Sequence, residues 1–187
     1  MKSITQTLNE ISNNVTSLAQ KSVTNIEEAT KVIVECLRNG GKIMFCGNGG
    51  SASDAQHLSA ELVGRYMKNR KPLASVALTT DTSIITAISN DLSFDNIFSR
   101  QVESIGSEGD ILYAISTSGK SQNIINAIKV AKKLNIKTLG ITGSDDSSFK
   151  KICDLVISVP ASRPDRIQEM HIAVGQIICE ILEEELC

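Results

Sequence analysis

Five short apolar runs recur along the chain with helical stretches between them, and this alternation decides the fold class before any single residue is considered. The runs are Ile43-Met44-Phe45-Cys46, Ala74 to Leu78, Ile111 to Ile115, Thr138 to Ile141 and Leu155 to Val159. Runs this short, rich in β-branched residues and apolar on both sides, are strands buried on both faces. Between them lie a helix through about Tyr66, helical stretches from Thr79-Thr80-Asp81 to about Ile105, and a helix from Asn123 to Leu134. A long amphipathic helix from Asp165 to about Glu184 follows the last strand. A twisted strand feeding a helix returns to its sheet by a right-handed crossover, so the class is α/β with a parallel sheet covered on both faces.

A length of 187 residues suits one domain, and no repeat, low-complexity tract or composition break divides it. We expect residues 1–38 to form N-terminal helices and residues 39–187 the α/β core with its closing helix. Ile4, Leu8, Ile11, Val15 and Leu18 are spaced four, three, four and three apart. That stripe is narrower than a core helix shows, and it predicts a helix used in self-association; packing on its own domain is the alternative. Thr24-Asn25-Ile26-Glu27 has the pattern of a capping box, and Gly40-Gly41 marks where that second helix stops.

The formal charge of −2 offers no general attraction for nucleic acid or an anionic membrane, and 3% aromatic residues with no Trp exclude a base-stacking platform. Any anion must therefore be bound locally. Cys36, Cys46, Cys153, Cys179 and Cys187 are an odd set without a CxxC pair, which reads as reduced core thiols. The opening MKSITQTLNEISNN lacks the apolar run of a signal peptide, and no later stretch is long enough to span a bilayer. The cytoplasm is the expected compartment.

Two loops carry the chemistry. Gly47-Asn48-Gly49-Gly50-Ser51 follows the first strand and opens a helix, where glycines let backbone N–H groups converge on an anion. It is not a dinucleotide fingerprint, since residue 52 is Ala, and it is not a P-loop, since GK[ST] is absent. Ser116-Thr117-Ser118-Gly119-Lys120-Ser121 holds the same position after the third strand. One Ser suffices for a helix cap, so four hydroxyls in six residues point to a phosphate. If the first and third strands are neighbours, both loops meet at the switch point of the sheet.

His57 and Glu61 are four apart on the helix leaving the glycine loop, so imidazole and carboxylate share a face. Such a pair can ligate a metal or place a base beside a substrate; the plainer alternative pairs Glu61 with Arg65. Arg163, Asp165, Arg166, Gln168, Glu169 and His171 crowd the start of the last helix, with Asp165 available as its cap and Gln168 and Gln176 spaced to share a face.

Taken in order, GNGGSASDAQHLSAEL, SNDLSFDNIFSRQVES, ISTSGKS and DRIQEMH resemble the phosphoheptose isomerases of the SIS sugar-isomerase superfamily over nearly the whole chain. The resemblance implies a flavodoxin-like five-stranded sheet and a homotetramer. It also implies interconversion of sedoheptulose 7-phosphate and D-glycero-D-manno-heptose 7-phosphate for bacterial surface glycans. By motif position it places Asn48, Gly49, Gly50, Ser51, Glu61, Asn90, Asp91, Ser116, Thr117, Ser118, Ser121, Asp165 and Gln168 on the substrate. His57, Glu61 and Gln168 fall on a divalent metal, usually zinc, and Glu61 on the catalytic carboxylate. The chain departs from the family at Gln176, where members commonly carry a histidine that serves as metal ligand and second acid/base group; an amide does not titrate near neutrality. The rival expectations are a non-catalytic SIS adaptor that associates with a replication initiator, and an isomerase of another phosphosugar.

Overall fold

A computed structural model, describing residues 3–187, orders the elements as α1 (Ile4–Lys21), α2 (Val23–Arg38), β1 (Ile43–Gly47), α3 (Gly50–Val63), β2 (Ser75–Ala77), α4 (Thr82–Asp91), α5 (Ser99–Ile105), β3 (Ile111–Ile115), α6 (Gln122–Lys133), β4 (Lys137–Thr142), α7 (Ser147–Lys150), β5 (Leu155–Ser158) and α8 (Pro164–Leu186). A 3-10 turn, Phe94–Asn96, joins α4 to α5. All five strands are parallel in the order β2-β1-β3-β4-β5, the flavodoxin-like arrangement. β1 and β3 are therefore neighbours, in register from Ile43 against Ile111 to Gly47 against Ile115, and their C-terminal loops emerge side by side.

Alternation along the strands builds two cores. Ile43, Phe45, Ile111, Tyr113 and Ile115 face α2, α3 and α8, with the Phe45 and Tyr113 ring centroids 5.2 Å apart. Met44, Cys46, Leu112 and Ala114 face α5 and α6. Each such side chain removed from water contributes about 1.5–3 kcal/mol, which is why every residue of β1 and β3 is buried.

Two local expectations are corrected. The second helix does not start with a capping box at Thr24: α1 and α2 share Ser22, whose helical backbone (φ −118°, ψ −3°) turns one helix into the next. The Ser22 hydroxyl donates to the Ser158 carbonyl at 2.8 Å instead of capping. A true capping box sits at the start of α1, between Ser3 and Gln6. The last helix is not capped by Asp165: Pro164 occupies its first turn, Arg163 is the N-cap, and the Asp165 carboxylate pairs with Arg163 at 2.6 Å and with Arg166 at 3.2 Å. The short helix α7 has no counterpart in the sequence reading.

On α1, Leu18 is buried and Ile11 packs on the core, but Ile4, Leu8 and Val15 are exposed. None of the residues of α4 is buried, and Ile84, Leu92 and Phe94 are exposed in and beside it. All five cysteines are free thiols. Among the described residues no helix is long and apolar enough to cross a membrane.

Candidate active site

The glycine loop is shaped by close approach. A Cβ on Gly47 would lie 2.4 Å from the Ser51 carbonyl oxygen, and Gly49 adopts φ +58°, a conformation side chains rarely take. A Cβ on Gly50 would lie 2.6 Å from the amide of Gln168, so α8 lays that amide directly across the loop. The N-cap of α3 is Gly49, which has no side chain to satisfy the first amides. The Asn48 and Gly49 carbonyls accept the Ser51 and Ala52 N–H groups at 3.1 and 3.0 Å, so what the turn offers an anion is the amides up to Gly50 and the positive end of the helix dipole. Ser51, just inside the helix, is buried.

The serine loop opens the same way. Ser121 is the N-cap of α6 but its side chain makes no cap hydrogen bond. The Ser116 hydroxyl accepts the Gly119 N–H at 3.1 Å and lies 3.4 Å from the Ser121 hydroxyl; the Ser118 hydroxyl accepts the Lys120 N–H at 3.2 Å. The loop is thereby held in shape, and because the Ser116 and Ser118 oxygens accept these bonds, their O–H groups remain available, with the helix-start amides, to donate to a phosphate. Lys120 pairs with Asp145 at 3.0 Å, both exposed.

Sequence reasoning missed the residue that joins the loops. Asn123, buried in the first turn of α6, exchanges two hydrogen bonds with Asn48: each Nδ2 donates to the other Oδ1 at 2.9 Å. The Asn48 side chain therefore stitches one loop to the other. One asparagine in the glycine loop and another just past the serine loop, after strands expected to adjoin, were the available signal.

His57 and Glu61 meet as their spacing predicts, with Nε2 and Oε1 3.0 Å apart, His57 about half exposed and Glu61 partly buried. This overturns the pairing of Glu61 with Arg65. Asp54, three residues before His57, was also missed. Burial pushes its carboxyl up to about 6 against the pull of His57, and its Oδ2 has no hydrogen-bond partner among the described residues. Asp54, His57 and Glu61 follow an i, i+3, i+7 rhythm that places all three on one stripe of α3.

Helix α8 supplies the opposite wall. A Cβ on Gly175 would meet the Leu58 side chain at 2.5 Å, so α8 crosses α3 there, with the half-buried Gln176 beside the crossing. His171 does not replace a histidine at that position. It is buried elsewhere, near the Thr142 backbone, and burial lowers its pKa to about 4, so it stands neutral. Asn90 and Asp91 close the exposed helix α4, where the Asn90 amide donates to the Asp91 carboxylate at 2.8 Å. Helix α4 rests chiefly on the 3-10 turn.

Residues 7–143 match the SIS domain family. The chain is 54% identical over 161 residues to a phosphoheptose isomerase of Aliarcobacter butzleri, covering 86% of this chain and 85% of that protein. It is 53% identical over 162 residues to a phosphoheptose isomerase of Rhodospirillum rubrum, covering 87% and 86%. The solved phosphoheptose isomerase of Neisseria gonorrhoeae superposes with a TM-score of 0.90 at 40% identity, covering 97% of each chain. The sheet order, the two stitched loops and these matches have one outcome: the chain belongs to the phosphoheptose isomerase family of SIS-domain proteins.

Proposed function

We propose that this protein interconverts sedoheptulose 7-phosphate and D-glycero-D-manno-heptose 7-phosphate, an aldose–ketose isomerisation that feeds bacterial surface-glycan synthesis in the cytoplasm. One observation carries the reading. The helix whose uncapped start closes the phosphate-sized crevice also holds, two to three turns on, an imidazole and a carboxylate 3.0 Å apart. Membership of the phosphoheptose isomerase family supports the sugar.

Isomerisation removes a proton from the carbon next to the carbonyl and returns it to the neighbouring carbon. The serine loop, through Ser116, Thr117, Ser118 and Ser121, grips the phosphate and fixes which carbons lie over α3. Glu61 takes and returns the proton. Amides of Asn48, Gly49 and Gly50, with Gln168 across the loop, hold the sugar phosphate's oxygens. Asp165, Asn90 and Asp91 remain substrate contacts by family resemblance alone.

Zinc fits as an open, weakly held site. His57 Nε2 and Glu61 Oε1, 3.0 Å apart, would hold the ion between them, and Gln168 and Gln176 would add neutral amide oxygens. Among the described residues no group of three His, Cys, Asp or Glu side chains assembles. When bound, the ion supplies Lewis-acid polarisation of the sugar oxygens.

Uncovered apolar side chains on α1 and around α4 support a homotetramer, because such surfaces are otherwise left in water. Gln176 favours a second reading, a non-catalytic SIS adaptor; the intact glycine loop and Glu61 weigh against it. The test is to incubate purified protein with sedoheptulose 7-phosphate, with chelator and with added zinc, and to follow the aldose heptose phosphate by NMR. Product formation is expected; binding without product selects the adaptor.

A further inference from the structure

Glu61 sits in the last full turn of α3, where helix carbonyls lack intrahelical partners. In this protein they are held from outside the helix. Arg70 donates from Nη2 to the Glu61 carbonyl at 2.8 Å and from Nη1 to the Leu62 carbonyl at 2.9 Å. Its Nε donates to Glu183 Oε1 at 2.8 Å, and the two side chains are only 3% and 2% exposed. The Glu183 carboxylate also accepts the backbone N–H groups of Tyr66, Met67 and Lys68 at 2.9, 2.8 and 2.7 Å. One buried ion pair therefore ties the end of α3, and the segment that leaves it, to α8.

Stability gives a poor reason for such a pair. Taking two charges out of water is costly, and well-packed apolar side chains of the same volume commonly do as well. What apolar residues cannot do is hold particular carbonyls in particular places. The guanidinium fork reaches the backbone of the proton-transferring residue itself, and its anchor lies on the helix that lays Gln168 across the glycine loop.

We propose that Arg70 and Glu183 are positioning residues for the isomerisation: they lock the Glu61 backbone to α8 so that its carboxylate is presented at a fixed distance from the sugar held in the two loops. The inference rests on the reading of Glu61 as the proton-transferring group. A displacement of about 1 Å at such a group lowers turnover by about a hundredfold while leaving a remote phosphate grip unchanged.

The experiment compares wild type, Arg70→Lys, Glu183→Gln, Glu61→Gln and the surface control Arg38→Ala, whose guanidinium binds Glu185 near the end of α8 without touching α3. Folding is checked by circular dichroism, and kcat and KM are measured on sedoheptulose 7-phosphate. A lysine cannot reach Glu183 and both carbonyls together. Arg70→Lys is expected to lower kcat by about tenfold or more with KM within about twofold, and Arg38→Ala to change neither. If Arg70→Lys does not fold, Glu183→Gln carries the same expectation. A folded Arg70→Lys or Glu183→Gln enzyme with wild-type kcat overturns the positioning role while leaving the isomerase reading intact. Wild type with no turnover, matching Glu61→Gln, overturns the isomerase reading itself.

Discussion

The two ends of helix α3 are built on opposite principles. Its start is a run of glycines with no side-chain cap, stitched to the serine loop by neutral amides. Its end is locked by a buried arginine and a carboxylate that between them hold two helix carbonyls and three loop amides. At the start no side chain caps the helix, and the amides up to Gly50 are left for a ligand. At the end the Glu61 and Leu62 carbonyls are both held by Arg70. His57 lies between these ends, and Glu61 belongs to the locked one.

Substitutions can break this contrast, and the largest effect falls on the chemistry itself. Glu61→Gln keeps the side-chain volume and removes the base, so steady-state kinetics should show kcat reduced by about 10²–10⁴-fold with sugar-phosphate binding retained. Next is the locked end. Glu183→Ala leaves the Arg70 cation buried and unpaired, and chemical denaturation should record a loss of about 3 kcal/mol.

The same carboxylate sets a pH dependence. Burial pushes the Glu183 pKa up, but three backbone donors and Arg70 outweigh it and hold it down at about 2, against 4.5 when exposed. A carboxyl whose folded pKa is depressed stabilises the fold above its unfolded value and loses that contribution as pH falls through the folded one. Stability of the wild type should therefore decline between pH 4.5 and about 2 more steeply than that of Glu183→Gln, as read by thermal melts across that range.

The open end should respond in binding more than in folding. Gly50→Ala drives a methyl into the Gln168 amide, and calorimetry should show sugar-phosphate affinity weakened by about tenfold with little change in melting temperature. Smallest is the stitch. Asn48→Ala removes two amide hydrogen bonds, and chemical denaturation should record a loss of about 1 kcal/mol.

Much of this was legible from local pattern. β3 runs from Ile111 to Ile115 as its apolar run predicts, and the glycine and serine loops flank each other because β1 and β3 do. The His57–Glu61 contact follows from helical spacing alone. What escaped reading depends on partners far along the chain. Arg70 and Glu183 are 113 residues apart, and each taken singly is an ordinary charged residue. Asp54 carries no pattern of its own in the sequence, and only burial in the fold gives it a raised pKa. The expected caps at Thr24 and Asp165 failed for backbone reasons: Ser22 bends within helical space, and Pro164 moves the boundary back to Arg163.

The central claim is that Glu61, held over the sugar by the locked end of α3, moves a proton between adjacent carbons. It is tested most directly by NMR of sedoheptulose 7-phosphate in D₂O with wild type and with Glu61→Gln. The account predicts aldose product and deuterium at the carbon next to the carbonyl for wild type, and neither for Glu61→Gln despite retained binding. Equal deuterium uptake by both proteins would contradict it.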